Sequence, residues 1–156
     1  MTTSDNQKRR RAERAREFEA MLVARYPDCF SRQKAGVRPL AVGIQEQLRD
    51  ALARATDVET PPNWIIKQAL ARYTRSPAYL DAIIAGHHRV DLEGRDAGAV
   101  TEAAQANARL RRDEQKQRAA ERRHSARQKH KRAGRKQRAT VQQDKLDQLA
   151  QRFNDA

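Results

Sequence analysis

Residues 76–94 read SPAYLDAIIAGHHRVDLEG, and their pattern changes period halfway. Ser76-Pro77 is a helix start, with a capping hydroxyl followed by a residue whose fixed φ suits the first helical position. Tyr79, Leu80, Ile83 and Ile84 then recur at helical spacing, and Gly86 is placed to stop the helix. Beyond it Val90 and Leu92 alternate with Arg89 and Asp91, the period of a strand, and Glu93-Gly94 supplies a turn. A short helix running into a small β-hairpin is the expectation, with Val90 and Leu92 facing the core and Arg89 and Asp91 facing solvent or ligand.

The flanking sequence is helical. Upstream, Thr60-Pro61 offers the same start signal, and Ile66, Ala69, Leu70 and Tyr73 follow at i, i+3, i+4 and i+7. Ile44, Leu48, Leu52 and Ala55 mark a helix from Gly43 to about Ala55, and residues 28–42, with Gly36 and Pro39, read as a loop. Phe18, Met21 and Leu22 give residues 7–25 an apolar face, and Pro27 ends that helix. Downstream, Thr101 caps a helix that runs into a basic arm, and Leu146, Leu149 and Phe153 suggest a further weak amphipathic helix. Trp64 and the apolar residues between 44 and 92 are the expected core.

Charge divides the chain. Residues 1–25 carry net +3, residues 26–108 carry none, residues 109–138 carry +11 and residues 139–156 carry −1. The arm after Leu110 is rich in Arg, Gln, Ala and Lys but lacks large apolar residues, so it is a solvated helix or orders against a partner. A net charge of +13 on 156 residues draws polyanions. Nucleic acid is the first partner class, because the arm has no apolar face to lay on a membrane. One cysteine, Cys29, excludes an internal disulfide and fits a reducing cytosol. The start, MTTSDNQKRRR, lacks the apolar run of a signal peptide, which points to a cytoplasmic protein. No metalloprotease, CxxC or phosphate-loop motif is present, His87 and His88 are adjacent, and His124 and His130 lie in the basic arm. Neither an enzyme nor a cofactor or metal protein is expected. Cys29, beside Phe30, reads as a packed residue.

Three stretches carry a resemblance. They are Arg38-Pro39-Leu40-Ala41-Val42-Gly43-Ile44, the run from Ala69 to Leu80, and Arg89-Val90-Asp91-Leu92-Glu93-Gly94. In order and spacing they resemble the ProQ/FinO family of bacterial RNA chaperones over about residues 26–110. The resemblance implies a mainly α fold: a compact multi-helix domain at 26–110 with a small β-hairpin, a basic N-terminal helix at 1–25 and a basic extension at 111–156. It implies binding to the base of a terminator-type stem and its 3′ single-stranded tail. Partners would be small RNAs, mRNA 3′ ends and transcription terminators, and the activity strand exchange, duplexing or RNA protection in post-transcriptional regulation, by a monomer.

Carried over residue by residue, the resemblance assigns RNA contacts to Tyr79, Arg89, Lys67 and Arg38. Other basic positions of the family are Ala41, Asn63, Ala71 and Ala78 here, and Arg72 or Arg75 are near enough to two of them to compensate. Spacing alone favours a core role for Tyr79. The family match instead turns its hydroxyl toward solvent to meet phosphate, 2′-OH or a base. Arg89 reads either as a strand residue paired with Asp91 or as a fork for phosphate oxygens. Ser76 opens a helix whose first N–H groups suit an RNA 3′ end, with the hairpin as the other wall. Arg109, Arg111, Arg112, Lys116, Arg118, Arg122 and Arg123 form an auxiliary basic surface. The alternative is a DNA-associated architectural or plasmid-control protein, in which residues 60–84 mimic a helix-turn-helix. A short apolar second helix argues against it.

Overall fold

The structure, a computed structural model, describes residues 3–154. Among these described residues five α-helices follow in order: α1 Thr3–Arg25, α2 Ile44–Arg54, α3 Asn63–Thr74, α4 Pro77–Ile84 and α5 Glu102–Asn154, with a 3-10 turn at Lys34–Gly36. The chain forms two compact units, residues 1–113 and 114–156.

In the first unit α1 packs chiefly on α3. Ala15, Phe18 and Leu22 lie on one stripe of α1 and are buried, so the second half of this basic helix supplies core to the body. Phe18 and Leu22 join Ile66, Ala69 and Leu70 of α3, Leu48 and Leu52 of α2 and Leu80 and Ile83 of α4 in one cluster. With so few aromatics, ring packing is concentrated: Phe30 meets Tyr73 edge-on at 5.2 Å, and Tyr73 meets Tyr79 edge-on at 5.7 Å. Trp64 is not part of this core. It is 36% exposed, with the Arg11 guanidinium 5.5 Å from its ring centre.

Helix starts follow local chemistry, once against expectation. Ser76 caps α4, its Oγ accepting from the Tyr79 N–H at 3.3 Å, and Thr101 caps α5 through the Ala104 N–H at 3.2 Å. Thr60 does not cap α3. Thr60 and Pro61 each precede a proline, which disfavours helical backbone at both, so the helix begins only after Pro62. The Thr60 hydroxyl instead donates to the Leu52 carbonyl at the end of α2.

The hairpin at 88–98 is present as paired backbone with hardly any strand. Ala97 N–H donates to the Arg89 carbonyl and Arg89 N–H to Gly98, each at 2.7 Å, and Asp91 N–H donates to Arg95 across the turn. Val90 also bridges Leu40 in parallel, with Val90 N–H donating to Pro39 at 2.8 Å and Ala41 N–H to Val90 at 2.9 Å. Val90 and Leu92 are buried as expected. Gly94 closes the turn at φ +77°, where a side chain would also meet Asp28 at 2.6 Å. Gly94→Ala is therefore expected to cost about 2 kcal/mol in chemical denaturation, from left-handed backbone strain with the clash added. Gly98→Ala, at φ +107° with nothing within 4 Å, lacks the clash and should cost less.

The second unit is helix throughout its described residues. Leu146, Leu149 and Phe153 do not form a separate element. They continue α5, because no proline interrupts the run and its residues favour helix. Every described residue from Lys116 to Phe153 is exposed. Among the described residues no helix is long and apolar enough to cross a membrane.

Candidate nucleic-acid interface

The parallel bridge between Leu40 and Val90 brings the Arg38-Pro39-Leu40 run against the Arg89–Leu92 run, and α4 lies beside both. Tyr79 and Arg89 consequently converge on one peptide. The Leu40 N–H donates to the Tyr79 hydroxyl at 3.0 Å, and the Arg89 Nη1 donates to the Leu40 carbonyl at 2.8 Å. The Tyr79 hydroxyl and the Arg89 guanidinium thus meet at the two ends of the Leu40 backbone, close enough for the Arg89 charge to act on the phenol. Ser76 completes the arrangement by holding the Tyr79 backbone at the start of α4.

Tyr79 does not point its hydroxyl to solvent. It is 7% exposed, and the core reading from helical spacing describes its placement. Packing against Tyr73 draws the ring inward, and its hydroxyl lies at the end of the Leu40 peptide. Burial raises this hydroxyl above the ordinary phenol range, against the opposing Leu40 bond and Arg89 charge, so it stays a neutral phenol. Arg89 remains half-buried. A guanidinium has five N–H donors in a fixed fork. Those not spent on Leu40 can meet a phosphate, and that bond fixes the fork's direction beforehand.

Arg38, Lys67 and Arg75 are exposed. Lys67 and Arg72 are five residues apart on α3 and therefore about 140° apart around it. Arg72 turns toward α1, where its Nε lies 2.9 Å from Glu19 Oε2. It does not share the Lys67 side of the helix. Ala41 and Ala71 are buried or half-buried, and Asn63 bonds Gln45 at 3.2 Å.

Arg112 is drawn to the body. Its Nε donates to Asp81 of α4 at 2.8 Å, and Lys34 approaches the same carboxylate at 3.3 Å. The Arg112 bond holds the Asp81 carboxyl below the ordinary carboxylate range, with Lys34 adding to it. Arg112 is thus a fastening at the start of α5. Arg109, Arg111, Lys116, Arg118, Arg122 and Arg123 are exposed.

A cavity of about 410 Å³ opens beside the start of α4, lined by Arg16, Glu19, Ser31, Arg32, Arg72, Tyr73 and Ser76 among others. Arg89 is not among the lining residues, so Ser76 faces α1 and the loop after Phe30 across this cavity. In the sequence Arg16 reads only as part of a basic N-terminal helix, and Arg32 carries no signal. Cys29, 2% exposed, has its thiol pushed up to about 12 by burial, then by Asp91 and Glu93. It should resist iodoacetamide at pH 8 in the native chain and react promptly once unfolded; rapid native labelling would contradict its packing.

Comparison with known proteins adds to this geometry. The ProQ/FINO family model matches residues 12–144. The RNA chaperone ProQ of Alteromonas mediterranea is 34% identical over 109 residues, covering 70% of this chain and 47% of that protein. RNA chaperone ProQ of Histophilus somni is 35% identical over 108 residues, covering 69% and 49%. The chain thus spans about half the length of the curated relatives it matches. Among solved structures, the NMR structure of a ProQ homolog from Legionella pneumophila is 30% identical with a TM-score of 0.52, covering 62% of this chain and 78% of that one. Three motifs in order, a mainly helical body with a tight hairpin, and a family match over most of the sequence agree: this chain belongs to the ProQ/FINO family.

Proposed function

We propose that the chain is a non-enzymatic RNA chaperone of the cytoplasm that binds the base of a terminator-type stem and its 3′ single-stranded tail. The observation that carries this is the convergence of Tyr79 and Arg89 on the Leu40 peptide, which leaves part of a pre-aimed guanidinium at the surface. The relatives' names, RNA chaperone ProQ, support the reading. In it Arg89 meets a phosphate near the RNA end. Tyr79 acts from behind, holding the Leu40 peptide on which Arg89 rests, and Ser76 sets the start of α4. Arg38, Lys67 and Arg75 add positive surface. A-form RNA is recognised by shape, backbone and 2′-OH, so sequence preference is modest. Strand exchange, duplexing and protection of small RNAs then follow from neutralising phosphates without a chemical step. Small RNAs, mRNA 3′ ends and transcription terminators are the partners, and the chain works as a monomer.

A helix-turn-helix DNA reader is disfavoured by α4. It has eight residues, and Tyr79, Leu80, Ala82 and Ile83 are buried, which leaves little surface for a major groove. The test is competition at physiological salt. A labelled stem-loop RNA with a 3′ tail should be displaced by the same unlabelled RNA far better than by duplex DNA of equal length. Equal displacement would overturn the RNA assignment.

A further inference from the structure

We propose that the cleft between α1, α3 and the loop after Phe30 is a second phosphate site, taking an RNA backbone phosphate through Arg16 and Arg32. This rests on the RNA-binding reading and adds a contact surface to it. Three arginines reach the cavity from separate parts of the chain: Arg16 from α1, Arg32 from the loop and Arg72 from α3. A solvated basic run has no such convergence, since its charges come from neighbouring positions.

The three arginines differ in what remains available. Arg72 is paired with Glu19, whose Oε2 is sealed from solvent without a hydrogen bond of its own, so Arg72 and Glu19 neutralise each other in the wall. Arg16 and Arg32 are exposed and supply the cleft's excess positive charge. Arg32 is also placed by its neighbours. The Ser31 N–H donates to the Tyr73 hydroxyl at 3.2 Å, and the Ser31 Oγ accepts from the Gln33 N–H at 3.1 Å. That turn fixes the backbone on either side of Arg32. The Tyr73 ring is itself held between Phe30 and Tyr79, so the cleft wall is an extension of the core. A trough along α1, lined by Arg9, Arg10 and Arg16 with Glu13, shares Arg16 with the cleft and gives a backbone a direction to follow. The chemistry is that of a phosphate group with one or two charged oxygens. Both an RNA phosphodiester and a free phosphate have it, and the proposal assigns the cleft to RNA.

The experiment uses the full chain and a stem-loop RNA with a 3′ tail. An Arg16→Gln/Arg32→Gln double variant is compared with Arg49→Gln/Arg54→Gln, which removes the same charge from α2, outside the cleft. The cleft variant should bind at least about tenfold more weakly. The slope of log affinity against log salt should fall by about 1.5, for two phosphate contacts. The control should change affinity and slope far less. Equal losses in the two variants would overturn the site, leaving only general attraction. Inorganic phosphate is titrated into the wild type and the cleft variant in parallel. Saturable phosphate binding that the cleft variant loses, with RNA affinity unchanged, would assign the cleft to a free anion and overturn the RNA assignment. Absence of RNA binding by the wild type would instead sink the functional reading itself.

Discussion

A chain ending at residue 113 should bind a 3′-tailed stem-loop RNA roughly 10²–10³-fold more weakly near 50 mM salt, while still preferring a free 3′ end. The unit from 114 to 156 carries thirteen basic and five acidic residues, and from Lys116 to Phe153 its described residues are all exposed. Among its described residues none is buried, so it has no core there to protect. If about six of its basic side chains meet phosphates, the salt slope should drop by about 4–5 on truncation. The cut belongs after Asp113, because Arg112 is fastened to Asp81 and its removal would disturb α4 as well. Filter binding or fluorescence anisotropy across several salt concentrations measures both quantities. A truncated chain that keeps its affinity but loses its 3′-end preference would reverse the roles of the two units.

Phe30→Ala should be the most damaging single change to stability, about 3–5 kcal/mol in urea or thermal unfolding. Phe30 is 1% exposed and starts the chain of rings that continues through Tyr73 to Tyr79. Removing it opens a cavity beneath the loop that positions Arg32 and loosens the ring packed on Tyr79. The loss would be a large part of the whole stability of a domain this size. Trp64→Ala is the contrast: its ring is a third exposed, and its loss removes a surface contact with Arg11. A larger cost at Trp64 than at Phe30 would contradict the described core.

The helices were legible because their signals are local. Ser76-Pro77, the periodic stripes of α2 and α3, and Gly86 each act within a few residues, and the structure follows them. The Thr60 cap failed for a reason also visible in the sequence, since consecutive prolines at 61 and 62 postpone the helix. Trp64 lies outside the core expected of it, because residue type says that a side chain can be buried, not that a helix turns it inward. Leu146, Leu149 and Phe153 suggested a separate helix, yet nothing in the intervening residues stops α5.

The site divides in the same way. Motif order points to Tyr79 and Arg89 together, but the resemblance turns the phenol outward, whereas it lies inside and the guanidinium half outside. That depends on the pairing of Leu40 with Val90, fifty residues apart, and on ring packing by Phe30 and Tyr73. Arg16 and Arg32 were illegible as a pair because only the fold brings α1 to the loop after Phe30. Arg112 reads in the sequence as one more positive charge in the arm, and only the fold sets Asp81 beside it.

The central claim is that Arg89, aimed by Tyr79 and Leu40, receives the ribose-phosphate end of the RNA. The most direct measurement is the affinity of wild type and Arg89→Ala for one stem-loop RNA ending in a 3′-hydroxyl or a 3′-phosphate. The wild type should bind the hydroxyl form at least about tenfold more tightly, and Arg89→Ala should bind it more weakly and discriminate little between the two ends. Undiminished discrimination and affinity in Arg89→Ala would contradict the account.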